Sequence, residues 1–129
     1  MAIDTSGIHH ITIRVNDMER SKRFYSHVLG FSVEAPADDL AYFVAGDTLV
    51  VLRPPLEGTP PGDRFDERRI GVDHLAFAVG GRDELEKVVE TLRGANVGTE
   101  GIERDPLLDK DYVCFRDPDN IQWEFYSRS

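Results

Sequence analysis

Short stretches of the chain alternate between apolar and polar residues, and longer ones repeat at helical spacing. Strict alternation over 8–15 and 72–79 predicts two half-buried strands. Apolar residues recur three and four positions apart over 18–29 and over about 83–93, which predicts two helices, each followed by a glycine. Further strands are predicted at 31–34, 40–44, 48–53, 95–98, 111–116 and 121–127. The order of elements is therefore β-α-β-β-β, written twice.

The chain also repeats itself at a shift of 64 residues. Segment 7–15 aligns with segment 71–79, and the alignment places His10 on His74. A repeat that runs without a gap through a strand, a helix and a turn indicates two copies of one supersecondary unit. If the copies pack around a pseudo-twofold axis, the two histidines can converge on one point.

We therefore expect an α+β fold made of two tandem βαβββ modules within one domain, since the length suits a single core. The first module takes residues 1–53 and the second takes residues 71–129. Residues 54–70, rich in proline and arginine, are interpreted as a linker or surface loop.

Alternation also assigns side chains to faces of the strands. In the last strand Trp123 and Phe125 share the apolar face, whereas Gln122 and Glu124 share the polar one. We expect the helices to cover one face of each sheet, so that the free face collects polar residues: His10, Thr12, Arg14, His74, Gln122 and Glu124. Two imidazoles and one carboxylate form the ligand set of a facial triad, which leaves positions open for water or a chelating substrate.

Composition narrows the choice of partners. The formal net charge is −9, which argues against nucleic acid or an anionic membrane surface as the main partner and favours a small molecule. No apolar run reaches the roughly 20 residues that span a bilayer, and the first six residues carry no signal-peptide pattern. One cysteine, Cys114, excludes an intrachain disulfide, and we expect a cytoplasmic protein.

The same residues, taken in order, resemble the vicinal oxygen chelate superfamily, also called the glyoxalase, bleomycin-resistance and extradiol dioxygenase superfamily. The resemblance runs nearly end to end. It covers the stretch from His10 to Asp17, the Phe24-Tyr25 pair with the glycine that follows, the stretch from His74 to Phe77, and the Asp117 to Asn120 turn that leads to Glu124.

The resemblance implies paired βαβββ modules that form a cupped mixed sheet around one divalent metal ion. The metal would be held by His10, His74 and Glu124 and chelated by two adjacent oxygens of the substrate. Fe²⁺ is favoured by the two-histidine, one-carboxylate set, with Mn²⁺, Zn²⁺, Ni²⁺ and Co²⁺ as alternatives. Members of this length are commonly homodimers, so His10 of one chain would join His74 and Glu124 of the other.

Departures from the family pattern narrow the reaction. Glyoxalase I and methylmalonyl-CoA epimerase would need a further glutamate in the last strand of the first module, where this chain has Val51 or Leu52. We therefore do not expect either activity. The dioxygenases and the fosfomycin-resistance thiol transferases often place a tyrosine ten residues before the metal glutamate, where this chain has Cys114, with Tyr112 two residues earlier on the same face.

We expect a metal-dependent enzyme, with a ring-cleaving dioxygenase slightly favoured and a thiol transferase as an alternative. Tyr112 and Arg14 are the candidate catalytic residues, and Thr12 and Gln122 the candidate substrate contacts. The rival hypothesis is a metal-free dimer that sequesters an antibiotic, as bleomycin-resistance proteins do; an acidic chain would suit a cationic drug.

Overall fold

Two four-stranded mixed sheets form the frame of the protein in a computed structural model that describes residues 2–129. The elements are β1 (His10–Arg14), α1 (Met18–Arg23), a π-helical turn (Phe24–Val28), β2 (Glu34–Ala37), β3 (Leu40–Ala45), β4 (Thr48–Arg53), β5 (Leu75–Val79), α2 (Arg82–Gly94), β6 (Ile102–Asp105), β7 (Lys110–Arg116) and β8 (Gln122–Ser127). The sheets have the orders β1-β4-β3-β2 and β5-β8-β7-β6, with the first pair of each parallel and the other pairs antiparallel. The identical order confirms the tandem βαβββ architecture.

Both helical segments form where periodicity predicts them. Asp17 caps α1, since its side chain accepts a hydrogen bond from the backbone N–H of Arg20 at 3.1 Å. Helix α2 buries Leu85 and Leu92 completely against the second sheet. No helix among residues 2–129 is long and apolar enough to cross a bilayer.

Two of the predicted strands are wrong. The chain at 31–34 is irregular up to Glu34 and β2 begins there, because Phe31 leaves the helix to stack on Phe43 at 4.4 Å. The chain at 95–98 is a turn, in which Asn96 takes a φ of 58° and Val97 packs on the core. The apolar residues of both segments therefore reflect core packing by irregular chain, and the edge strands β2 and β6 lie further on.

The core lies between the inner faces of the two sheets and is rich in aromatic side chains. Trp123 stacks on Phe77 with ring centroids 4.4 Å apart and planes 3° apart. Tyr25, fully buried on the π-helical turn, stacks on Phe43 and meets Trp123 edge-on. The first module's helix thus packs against residues of both sheets, which holds the modules together.

A polar seam in this core also joins the modules. The indole N–H of Trp123 donates to the Tyr25 hydroxyl at 2.8 Å, and that hydroxyl donates to Asp117 at 2.6 Å. Asp119 follows Asp117 by two residues in the same turn, and its carboxylate accepts hydrogen bonds from the backbone N–H and the side-chain amide of Asn16, each at 2.9 Å. The turn before β8 is therefore tied to the chain between β1 and α1.

Candidate functional site

An imidazole and a carboxylate meet on the outer face of the second sheet. His74 directly precedes β5, and the register pairs Ala76 of that strand with Glu124 of β8. His74 Nε2 lies 3.5 Å from Glu124 Oε1. The Glu124 side chain is 10% exposed and that of His74 is 39% exposed. The carboxylate is therefore mostly buried, and the imidazole covers it from the solvent side.

Asp73 holds the other nitrogen of the same imidazole. His74 Nδ1 donates to Asp73 Oδ1 at 2.7 Å. A carboxylate on one ring nitrogen fixes the tautomer and turns the lone pair of the other nitrogen outward, as it does for most metal-binding histidines. The lone pair of Nε2 therefore faces the Glu124 carboxylate, and this pair of acceptors fits a divalent cation such as Fe²⁺ or Zn²⁺.

The pair opens into a cavity of about 500 Å³, large enough for a small organic molecule. Two tyrosines stack along its wall, Tyr112 and Tyr126, with ring centroids 6.0 Å apart and planes 11° apart. Tyr126 donates its hydroxyl to Asp105 at 2.8 Å. The residues that line the cavity are His74, Ala76, Asp105, Pro106, Leu108, Tyr112, Glu124 and Tyr126.

Burial governs the acid–base state of this cavity. Burial raises the pKa of Glu124 above its ordinary value, and the nearby His74 opposes that shift. Burial also raises the pKa of Tyr112. The pKa of Tyr126 rises to about 12 through burial and its hydrogen bond to Asp105. Both phenols therefore keep their protons at neutral pH.

The other predicted ligand, His10, lies on the first sheet. It is exposed, and its Nδ1 lies 3.0 Å from Nδ1 of His9. Within residues 2–129 of one chain, no group of three or more His, Cys, Asp or Glu side chains is arranged to hold a metal ion. One chain thus presents one histidine on its first sheet and a histidine–glutamate pair on its second.

Thr12 and Arg14 follow His10 along β1 and line a separate cavity of about 350 Å³. Arg14 donates to the backbone carbonyl of Pro54 at 3.0 Å. The structure therefore places Thr12 and Arg14 on the first sheet with His10. Tyr112, in contrast, lies on the second sheet beside the His74–Glu124 pair.

Gln122 begins β8 on the same face as Glu124 and pairs with Arg116 in the register. Cys114 of β7 lies directly opposite Glu124 on that face, and burial raises the pKa of its thiol. A thiol with a raised pKa is less reactive at neutral pH. We assign Cys114 a packing role beside the carboxylate.

The register also settles which residue of the first module corresponds to Glu124. Thr12 pairs with Val51 in the parallel β1–β4 ladder, as Ala76 pairs with Glu124 in the β5–β8 ladder. Because Thr12 and Ala76 are repeat equivalents, Val51 stands where the second module has its glutamate. The first module therefore carries an aliphatic side chain at that position.

Two residues of the site escaped sequence reasoning: Asp73 and Asp105. The adjacency of Asp73 to His74 is a readable signal for a hydrogen bond to the imidazole. Asp105 carries no such signal, because the β6–β7 hairpin brings it to Tyr126 across 21 positions of sequence.

Comparison with known proteins agrees with this architecture. The family model for the "Glyoxalase/Bleomycin resistance protein/Dioxygenase superfamily" matches residues 7–125. The chain is 36% identical over 133 residues to the uncharacterized protein YwkD of Bacillus subtilis (strain 168), covering 95% of this chain and 97% of that one. It is 31% identical over 122 residues to the metallothiol transferase FosB of Staphylococcus saprophyticus, covering 94% of this chain and 76% of that one.

The fold also matches solved structures. The glyoxylase/bleomycin resistance protein/dioxygenase domain from Frankia sp. EAN1pec superposes with a TM-score of 0.81 at 29% identity, covering 96% of this chain and 98% of that one. The match spans both modules and therefore extends to their mutual arrangement.

Proposed function

This chain belongs to the Glyoxalase/Bleomycin resistance protein/Dioxygenase superfamily, and from that premise we propose that it is a divalent-metal-dependent enzyme acting on a small substrate with two adjacent oxygens. The observation that carries the proposal is the His74–Glu124 pair, 3.5 Å apart at a cavity, with the imidazole oriented by Asp73. Two metal-binding atoms face each other there with a preset tautomer.

We propose that His10 of a second copy of the chain completes the site, which makes the working enzyme a homodimer. His10 is exposed on the first sheet, so a second chain can reach it. Three protein ligands leave positions open for a chelating substrate. We place this enzyme in the cytoplasm, on the strength of its single, unpaired cysteine.

A bound divalent metal supplies Lewis-acid stabilisation of the negative charge that develops on the substrate oxygens. Tyr112 lines the cavity and keeps its proton because burial raises its pKa. Its hydroxyl is therefore suited to donate a hydrogen bond, or a proton, to a substrate oxygen. Thr12, Arg14 and Gln122 are proposed to contact substrate from the dimer interface and the edge of the cavity.

Two reaction classes fit these groups. Ring cleavage by a dioxygenase is favoured by the ligand set, with Fe²⁺ as the metal. Thiol transfer is favoured by the relationship to metallothiol transferases, since FosB of Staphylococcus saprophyticus is 31% identical over 122 residues. Oxygen uptake with catechols, measured beside thiol addition to an epoxide, separates the two classes.

The first experiment is metal analysis of protein purified without chelators. We expect near-stoichiometric transition metal in the wild-type protein and its loss from H74A. H27A is the matched control, because His27 lies on the π-helical turn, away from the cavity. A wild-type protein that takes up no metal after reconstitution would favour the metal-free binding protein, and an H74A protein with full metal would refute the ligand assignment.

A further inference from the structure

The walls of the His74–Glu124 cavity carry acids and aromatic rings. Of the described residues that line it, Asp105 and Glu124 are acidic and none is a lysine or an arginine. Asp73 and Glu103 lie close enough to add to the negative field at Glu124. The field inside the cavity is therefore acidic before any metal is bound.

The two cations of the β6–β7 ladder, Arg104 and Lys110, are already engaged by other groups. Arg104 donates to Asp109 at 2.6 Å and to Asp111 at 3.1 Å. Arg104 pairs with Asp111 in the β6–β7 ladder, next to the pair formed by Glu103 and Tyr112. Because neighbouring residues of a strand point to opposite faces, Arg104 lies on the face of the sheet away from Tyr112 and the cavity. Lys110 pairs with Asp105 in that ladder and shares its face, but its ammonium donates to the backbone carbonyl of Arg128 at 3.2 Å and it does not line the cavity. These cations are poorly placed to receive an anionic group of a substrate.

The rest of the wall suits a flat, apolar body. Tyr112 and Tyr126 stack face to face, and Leu108, which is 60% exposed, lies at the rim on the β6–β7 hairpin. The Tyr126 hydroxyl is committed to Asp105, whereas the Tyr112 hydroxyl makes no hydrogen bond among residues 2–129. One phenol is thus available to the ligand and the other supports the wall.

Resting on the proposed metal-dependent function, we propose that the cavity selects a neutral or cationic planar substrate and rejects molecules that carry a carboxylate or phosphonate beside their two adjacent oxygens. An anionic substituent would meet Asp105 without a cation to pair with. An unpaired like charge a few ångströms away in a half-buried site costs enough to weaken binding about tenfold. A cationic substituent at the same place would gain a partner.

Arg14 of a second chain is a cation of the proposed dimer site that would reverse this preference. Arg14 stands four residues beyond His10 on the same face of β1, about 13 Å along the strand, and a second chain would bring it with His10. We expect the Arg14 guanidinium to stay bound to the Pro54 carbonyl. If it instead pairs with an anionic substituent, anionic molecules would bind well and the R14Q variant would lose that preference.

Three catechols that share one pair of hydroxyls test the inference: 4-methylcatechol is neutral, dopamine is cationic and 3,4-dihydroxyphenylacetate is anionic. Binding is measured by titration calorimetry on protein loaded with Zn²⁺, which has no redox chemistry. We expect the anionic probe to bind at least about tenfold more weakly than the neutral one, dopamine to bind at least as tightly, and the gap to shrink in high salt.

The D105N variant should narrow the difference in affinity between the anionic probe and the neutral probe, and its uptake of Zn²⁺ shows that the site still folds. E90Q is the matched control, because Glu90 is exposed on α2, the helix that packs on the opposite face of the sheet. Equal or tighter binding of the anionic probe, or no binding of any probe to metal-loaded protein, would overturn the inference and leave the metal site standing. Failure to load metal would instead be a failure of the proposed function.

Discussion

Replacing Tyr25 by phenylalanine should destabilise the fold by removing one oxygen from the buried polar seam. The hydroxyl accepts from Trp123 Nε1 at 2.8 Å and donates to Asp117 Oδ2 at 2.6 Å, and Tyr25 is fully buried. Its loss leaves an indole N–H and a carboxylate oxygen without partners. Each buried group left unsatisfied costs about 1–3 kcal/mol, so we expect a loss of about 3 kcal/mol in the free energy of unfolding.

The loss should also depend on pH. Burial raises the pKa of Asp117 above its ordinary value, so this group stabilises the fold most below its unfolded-state pKa and loses that contribution as pH rises through the folded-state pKa. The hydrogen bond from Tyr25 lowers the pKa of Asp117 and so opposes the burial effect. Y25F removes that relief, and its cost should therefore be larger at pH 8 than at pH 5.

Urea unfolding followed by tryptophan fluorescence measures both effects at a fixed protein concentration, since a dimer's stability depends on concentration. Y42F is the matched control, because Tyr42 lies on the outer face of β3 and its hydroxyl makes no hydrogen bond among residues 2–129. A Y25F cost below about 1 kcal/mol, or equal to that of Y42F, would show that the seam contributes nothing beyond packing.

Two further substitutions test the support of the site and of helix α2. D73A should weaken metal binding about 10- to 100-fold because it frees the His74 ring, whereas D73N should weaken it less because an amide oxygen still accepts from Nδ1. Calorimetric titration of the apoprotein with metal measures both affinities. Equal metal affinities of D73A and the wild-type protein would contradict an orienting role for Asp73. Asn96 follows α2 with a φ of 58°, a left-handed conformation that glycine adopts without strain and alanine does not. N96G should therefore raise the free energy of unfolding by about 0.5–1 kcal/mol, and N96A should lower it by about 1 kcal/mol. Urea midpoints in the opposite order would refute backbone strain at Asn96.

The elements predicted from the sequence are those whose side chains carry the packing. Strand β4 has its predicted bounds because Val50 and Leu52 alternate into the core with polar or half-exposed residues between them. Strand β2 reads Glu-Ala-Pro-Ala and is exposed throughout, so its place at the sheet edge depends on pairing with β3 and not on its own pattern. Edge strands of this kind carry little periodic signal.

The candidate site, like the fold, was predictable from the sequence only in part. Strand alternation placed Glu124 on the helix-free face, and the repeat singled out His74. Their proximity also requires the parallel β5–β8 ladder, which neither rule predicts. The residues alone left open where His10 lies relative to that pair, because this depends on how two sheets without a shared ladder pack together. The family resemblance implied that His10 of one chain serves the site of the other. Asp105 was out of reach for a different reason: the sequence predicted a strand at 95–98, whereas the edge strand β6 lies at Ile102–Asp105.

Because the first module has the aliphatic Val51 where the second has a glutamate, the number of metal ions in a dimer depends on which modules face each other. Each chain offers one histidine on its first module and a histidine with a glutamate on its second. If unlike modules face each other across the interface of the proposed homodimer, both sites have three ligands and the dimer binds two metal ions. If like modules face each other, one site has two histidines alone and the other has four ligands, so the dimer binds one ion tightly. Metal analysis against subunit concentration, combined with the mass of the assembly in solution, distinguishes one ion per chain from one ion per two chains. We expect one per chain, and an H10A variant should then lose affinity at every site, whereas in the like-with-like dimer it would leave the tight site untouched.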